Sequence, residues 1–355
     1  MFTSRLFRGI LFCLLVAAWS AVGVAQSLVL DLPRQSQRAQ ISQRVGITDI
    51  TINYHRPLVN KRKVWDGLVP YGQVWRAGAN ENTTISFSDP VMIEGKALDK
   101  GTYGLFMIPA ADQWTIIFSK NSTAWGAFTY NQAEDALRVT AKPAAAEMHD
   151  ALTFDFDDVQ PNSATVTMTW EKVAVPFKVG VDVHEIVEAS VKKQIRGLGQ
   201  YTWEGWDEAA NYLLAEKVAL DDALTYASKS IEVEDRYDNE MTKSKVLAAL
   251  NRKDDAAVAQ KKAVELANPL QLHQYARQLM GEKHNDEAFA IFRENEKKHT
   301  DQWFVHVGMA RMYSAQSKFD DAQKEMKVAL TAAPDNQKSY LEGLAKKLET
   351  RQDIN

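Results

Sequence analysis

The sequence predicts two domains of different class: an all-β N-terminal domain, built as an antiparallel β-sandwich or barrel, and an all-α C-terminal solenoid of helical repeats. Three observations predict it. Apolar residues alternate with period two from Ile41 to about Val181, the rhythm becomes helical after Val183, and a short acidic tripeptide recurs through the helical half.

Residues 1–25 precede both domains. Arg5 and Arg8 open the chain with positive charge, Ile10 to Ala18 form a short apolar run around Cys13, and Gly23-Val24-Ala25 supplies small residues before Gln26. That order is the layout of a secretory signal peptide, and the run falls short of the roughly 20 apolar residues of a membrane span. The expectation is an exported chain, periplasmic or at the cell surface, with no transmembrane segment after cleavage. Its single cysteine would leave with the leader, so the mature folds must rest on burial without disulfides. Without Arg5 and Arg8 the 42 basic residues become 40 against 46 acidic ones, a formal charge of −6. No basic surface for nucleic acid is expected from that balance.

The β domain is expected over residues 33–182. Ile50, Ile52 and Tyr54 alternate with Thr51 and Asn53, Leu152, Phe154 and Phe156 with Thr153 and Asp155, and Ala164, Val166, Met168 and Trp170 with threonines. Such alternation sends one side of each strand to a core and the other to water. Turn signals stand at Glu94-Gly95-Lys96, Asp99-Lys100-Gly101, Pro109 to Asp112, Asp157-Asp158 and Pro161-Asn162-Ser163. Eight to ten short strands result, a pattern of sandwiches and barrels alike.

The repeat domain is expected over residues 184–349. Asp182 and Glu185 suit a helix start and Gly197 an end. Asp221-Asp222-Ala223, Asp254-Asp255-Ala256, Asp286-Glu287-Ala288 and Asp320-Asp321-Ala322 recur at a spacing near 34, the period of a two-helix repeat. An acidic pair favours the N-terminus of the second helix, and the alanine lets that helix approach its partner. Ala310, Tyr313, Ala322, Met326, Ala329 and Pro334 make the last unit resemble a tetratricopeptide repeat; in an earlier one Ala256, Ala263 and Pro269 match, while Gln260 replaces a large apolar residue. The resemblance implies a groove for a protein or peptide partner. Packing against the rest of the chain is the plainer alternative.

The chemically densest stretch runs from Tyr54 to Thr84 and mixes aromatic, basic, glycine and amide residues. Glycines let backbone approach a ligand, while aromatics and arginine offer stacking and bidentate hydrogen bonds. The candidate ligand-binding residues are Arg56, Trp65, Tyr71, Trp75, Arg76, Asn80 and Glu81, for a sugar, a carboxylate or a peptide. On the structural alternative Trp65, Tyr71 and Trp75 fill the ends of the sheets. Arg76 then pairs with Glu81 or caps loop carbonyls, and Asn80 holds a left-handed turn.

Val69-Pro70-Tyr71-Gly72, the run Val74 to Asn80, Gly101-Thr102-Tyr103-Gly104-Leu105-Phe106, Trp114-Thr115, Trp125-Gly126, Leu137-Arg138-Val139 and Trp170-Glu171 occur in the order of a known family. Residues from about Pro33 to Val181 resemble the DUF2911 domain, a bacterial envelope domain of unknown function. His55 departs from the small hydroxyl residue that family places after Tyr54. The resemblance implies a domain and no activity.

Enzyme signatures are missing from the sequence. There is no G-x-S-x-G elbow and no phosphate-binding loop, and His184-Glu185-Ile186-Val187-Glu188 lacks the second histidine of a zinc helix. No metal site or cofactor is expected. The sequence therefore favours a binding and scaffolding protein of the cell envelope over an enzyme. Two alternatives stand beside it: a hydrolase of envelope polymers using Glu81 or Asp66 with His55, and a scaffold with no small-molecule site.

Overall fold

The computed structural model describes residues 33–355, so the leader read in residues 1–25 lies outside the described residues. Two compact units divide the chain, the first ending at Val183 and the second running from His184 to Asn355.

Among the described residues the first unit has ten strands: β1 (Gln37–Val45), β2 (Thr48–Arg56), β3 (Thr84–Phe87), β4 (Val91–Ile93), β5 (Lys96–Leu98), β6 (Gly101–Ile108), β7 (Trp114–Ser119), β8 (Asp135–Ala141), β9 (Ala144–Gln160) and β10 (Ser163–Gly180). They form two open antiparallel sheets, ordered β1-β2-β3-β6-β7-β8 and β5-β4-β10-β9. The alternating residues do what their period requires: Ile50, Ile52 and Tyr54 are at most 4% exposed. Each such side chain contributes about 1.5–3 kcal/mol by leaving water. Side chains from the two sheets meet in this core, Tyr54 on Phe154 at 4.9 Å and Phe118 on Phe177 at 5.9 Å between ring centres.

Asp157-Asp158 is not a turn. Both residues lie inside β9, where Asp158 takes a φ of 43° and the register against β10 slips between Ser163 and Thr165. One extra residue on β9 is accommodated as a bulge, and the chain reverses at Pro161-Asn162 instead. The strands are therefore not all short, because β9 and β10 run for 17 and 18 residues.

Residues 57–83 join β2 to β3 as a long strap. Its start bonds to β9, with Val59 donating to the Asp150 carbonyl at 2.8 Å. Further on, Trp75 exchanges backbone hydrogen bonds with Met107 at 2.8 Å, taking up the half of β6 that β3 does not reach.

The second unit contains ten α-helices: α1 (Val183–Gln194), α2 (Trp203–Glu216), α3 (Leu220–Val233), α4 (Tyr237–Ala249), α5 (Lys253–Leu266), α6 (Pro269–Gly281), α7 (Asn285–Lys298), α8 (Trp303–Ala315), α9 (Phe319–Ala332) and α10 (Asp335–Glu349). All four acidic pairs fall in the first turn of a second helix, in α3, α5, α7 and α9. There they face the positive end of the helix dipole. The alanines that follow, Ala223, Ala256, Ala288 and Ala322, are buried. Pro269 opens α6 at its first position, where a missing N–H costs nothing, and Asn268 caps it together with Gln271. Gln260 keeps its amide by donating to Tyr275 and, at 2.9 Å, to Glu287. Successive pairs share their cores: one cluster joins Met241, Ala263, Leu272, Phe292 and Met309, from five different helices. Among the described residues no helix is long and apolar enough to cross a membrane.

Candidate functional site

The outward face of β2 carries Asn53 and His55, because Ile52 and Tyr54 take the inward positions. In register across the sheet, Arg38 of β1 stands opposite His55, and Thr84 of β3 stands opposite Asn53. The next position in the row is Gly104 of β6, which pairs with Thr84. Having no side chain, it leaves room into which Asn82 projects. A segment formed by Pro33 to Gln37 borders the same space, and the open cleft measures about 700 Å³.

Asn80 positions that segment. Its backbone is left-handed, with φ at 56°, and its amide donates to the Ser36 carbonyl at 3.1 Å. Arg34 then reaches Glu81 at 2.9 Å and lies over the indole of Trp125, 5.6 Å from the ring centre. Glu81 also meets His55, Oε2 to Nε2, at 3.4 Å. Burial holds the His55 imidazole below its ordinary pKa; Glu81 pulls upward, but Arg34, Arg38 and Arg76 add to the depression.

The floor of the cleft is polar and incompletely satisfied. Asn53 Oδ1, Asn82 Oδ1 and Asn82 Nδ2 are buried without a hydrogen-bond partner among the described residues. Asn82 is only 7% exposed. Leaving a buried polar group unpaired costs about 1–3 kcal/mol, so such groups ordinarily find partners. Three such atoms, one donor and two acceptors, belong to two residues that line one cleft.

A second cavity, of about 310 Å³, shares Ser36 with the first and is lined by Leu58, Arg62, Trp75, Arg76 and Trp170 among others. Arg76 pairs with neither Glu81 nor any other carboxylate among the described residues. Its Nε is buried and has no partner among the described residues, and burial lowers the guanidinium pKa.

The seven residues expected to form one site are thus distributed. Glu81 lines the larger cleft, Trp75 and Arg76 the smaller, and Asn80 shapes the border of the larger. Arg56 donates to the Leu152 carbonyl at 3.0 Å, joining β2 to β9. Trp65 packs edge-on against Trp75, Trp114 and Trp170, with its ring centre 4.8 Å from that of Trp114, and is core. Tyr71 is 41% exposed and borders neither cavity. Of the two carboxylates considered with His55, only Glu81 reaches it; Asp66 pairs with Lys63 at 3.6 Å. Arg34, Arg38, Asn53, Asn82 and Trp125 were not among the expected residues. An amide on the polar face of a strand ordinarily looks into water, and nothing local in the sequence announces that residues 33–37 border it. Among the described residues no cluster of His, Cys, Asp and Glu could hold a metal ion.

Residues 36–179 match the family model described as a protein of unknown function, DUF2911. No curated protein matches the chain. Among solved structures, one similar chain is YrrB, titled a TPR protein with an unusual peptide-binding site. It is 13% identical, with 46% of this chain and 85% of that chain covered and a TM-score of 0.28. Another belongs to the APC/C hetero-tetramer Cut9–Hcn1, 15% identical, with 46% of this chain and 33% of that chain covered and a TM-score of 0.31.

Proposed function

We propose that the chain is an exported binding protein of the cell envelope, whose β domain takes a small polar ligand and whose helical repeats hold a protein or peptide partner. The observation that carries the ligand reading is the set of unpartnered amide atoms on Asn53 and Asn82 beneath the cleft. A ligand that offers hydroxyl or amide groups regains the hydrogen bonds the fold forgoes there. The partner reading rests on the stacked helix pairs, which present a continuous surface along the array. Export rests on the leader pattern of residues 1–25.

Thermal unfolding of the full chain with succinate, tri-alanine or tri-galacturonic acid tests the ligand reading. At least one should raise the transition by mass action, and the rise should vanish in Asn53→Ala. No rise with any probe would end it. For the repeats, capture of envelope proteins on the full chain should be lost when exposed array residues such as Val258 and Tyr340 are changed to aspartate. For export, cell fractionation should yield a mature chain beginning at Gln26.

A second reading, hydrolysis of an envelope polymer, is favoured by the approach of Glu81 to His55 at 3.4 Å in one cleft. A carboxylate beside a neutral imidazole is a general acid–base arrangement. Turnover of a polysaccharide that disappears in Glu81→Gln would support it over simple binding.

A further inference from the structure

We infer that the larger cleft recognises an acidic saccharide, with Trp125 as stacking platform, the Asn53 and Asn82 amides as hydroxyl partners and Arg38 as carboxylate partner. The inference rests on the ligand reading above and specifies its chemistry.

Trp125 stands beside the cleft, not in its lining: it lies across from Glu81 in an isolated backbone bridge and under Arg34, and those two residues do line it. Arg34 sits over its ring, yet 54% of the residue remains exposed, and the nearby Phe128 is 85% exposed. Three other tryptophans of this domain are core: Trp65, Trp114 and Trp170 are at most 7% exposed. An indole held at a polar cleft offers an electron-rich face, which suits the C–H face of a sugar ring as it suits other partly positive groups.

The floor selects hydroxyls. A sugar hydroxyl donates and accepts at once, and Asn82 presents an unpartnered donor and an unpartnered acceptor on one amide. Asn53 adds an acceptor beside it. Two neighbouring hydroxyls can be held by such groups without any charge being buried. An extended peptide would instead look for a sheet edge and alternating side-chain pockets, and Asn53 lies on a sheet face.

The charges select an acid. Glu81 is already shared by Arg34 and His55. Arg38 stands opposite His55 with no ion pair among the described residues, leaving one uncompensated cation at the cleft. Its fork geometry fits a carboxylate.

The test is calorimetric titration of the full chain with tri-galacturonic acid, maltotriose and tri-glutamate, on the parent, Trp125→Ala, Trp125→Phe and Arg38→Gln. Both positions are exposed on the surface, and thermal unfolding checks that each variant folds. Tri-galacturonic acid should bind and weaken about tenfold in Trp125→Ala and in Arg38→Gln, with Trp125→Phe retaining most affinity. Maltotriose should bind more weakly and ignore Arg38→Gln. Unchanged affinity in Trp125→Ala overturns the inference, as does tri-glutamate binding as tightly as the saccharide. If tri-glutamate alone binds and Asn53→Ala abolishes it, the cleft remains a ligand site and only the saccharide assignment falls. If no probe binds, both fall.

Discussion

Gly104 and Asn82 compete for one space: a Cβ at Gly104 would overlap the amide nitrogen of Asn82 and the carbonyl oxygen of Asn121. The glycine of β6 is therefore a requirement of the cleft floor, since its backbone angles call for no special residue. Gly104→Ala should displace the Asn82 amide and destabilise the domain by about 1–3 kcal/mol through overpacking. Urea denaturation measures the loss, and any ligand affinity should fall with it. A variant as stable as the parent would show that the floor can relax.

Asn80 works through two separable properties, its left-handed backbone and its hydrogen bond to Ser36. Asn80→Gly keeps the first and loses the second, whereas Asn80→Ala loses both. The glycine variant should cost about 1 kcal/mol and the alanine variant about 1 kcal/mol more. In both, hydrogen exchange in residues 33–37 should accelerate.

Arg76 is a charge placed against stability. With its Nε buried and no carboxylate partner, it carries a desolvation cost that an apolar residue of similar length avoids. Arg76→Met should leave the melting temperature unchanged or raise it. A marked fall would reveal that the guanidinium is a structural tie.

His273 makes the helical unit sensitive to acid. Burial, reinforced by Arg277 and Arg311, pushes its pKa from 6.5 down to about 4. The unfolded chain then binds a proton that the folded chain refuses, so stability is complete above pH 6.5 and declines as the pH falls toward about 4. The full effect is up to about 3 kcal/mol. Urea midpoints at pH 7 and at about pH 4 should converge when His273 is replaced by leucine, relative to the parent.

The parts of the fold set by periodicity were legible in the sequence. Ile50, Ile52 and Tyr54 alternate and are buried, and each acidic pair begins a second helix, because both signals depend on neighbours a few residues away. Asp157-Asp158 was misread because a bulge and a turn favour the same residues. The candidate site was legible only in part, for a different reason. Arg34, Arg38, Asn53 and Asn82 line it and Trp125 stands under Arg34 beside it, and they meet through register and long-range folding. Local chemistry pointed to the tryptophan-rich strap instead, where Trp65 serves packing.

The shared cores of the helical unit bear on how this chain can change over time. Phe292 of α7 closes its cluster with Met309 of α8 and Leu272 of α6, so each pair of helices borrows its interior from the next. A duplicated pair inserted between two existing ones meets the same kind of neighbours on both sides. The reach of the array can therefore grow or shrink in steps of one pair while the β domain and its cleft stay as they are.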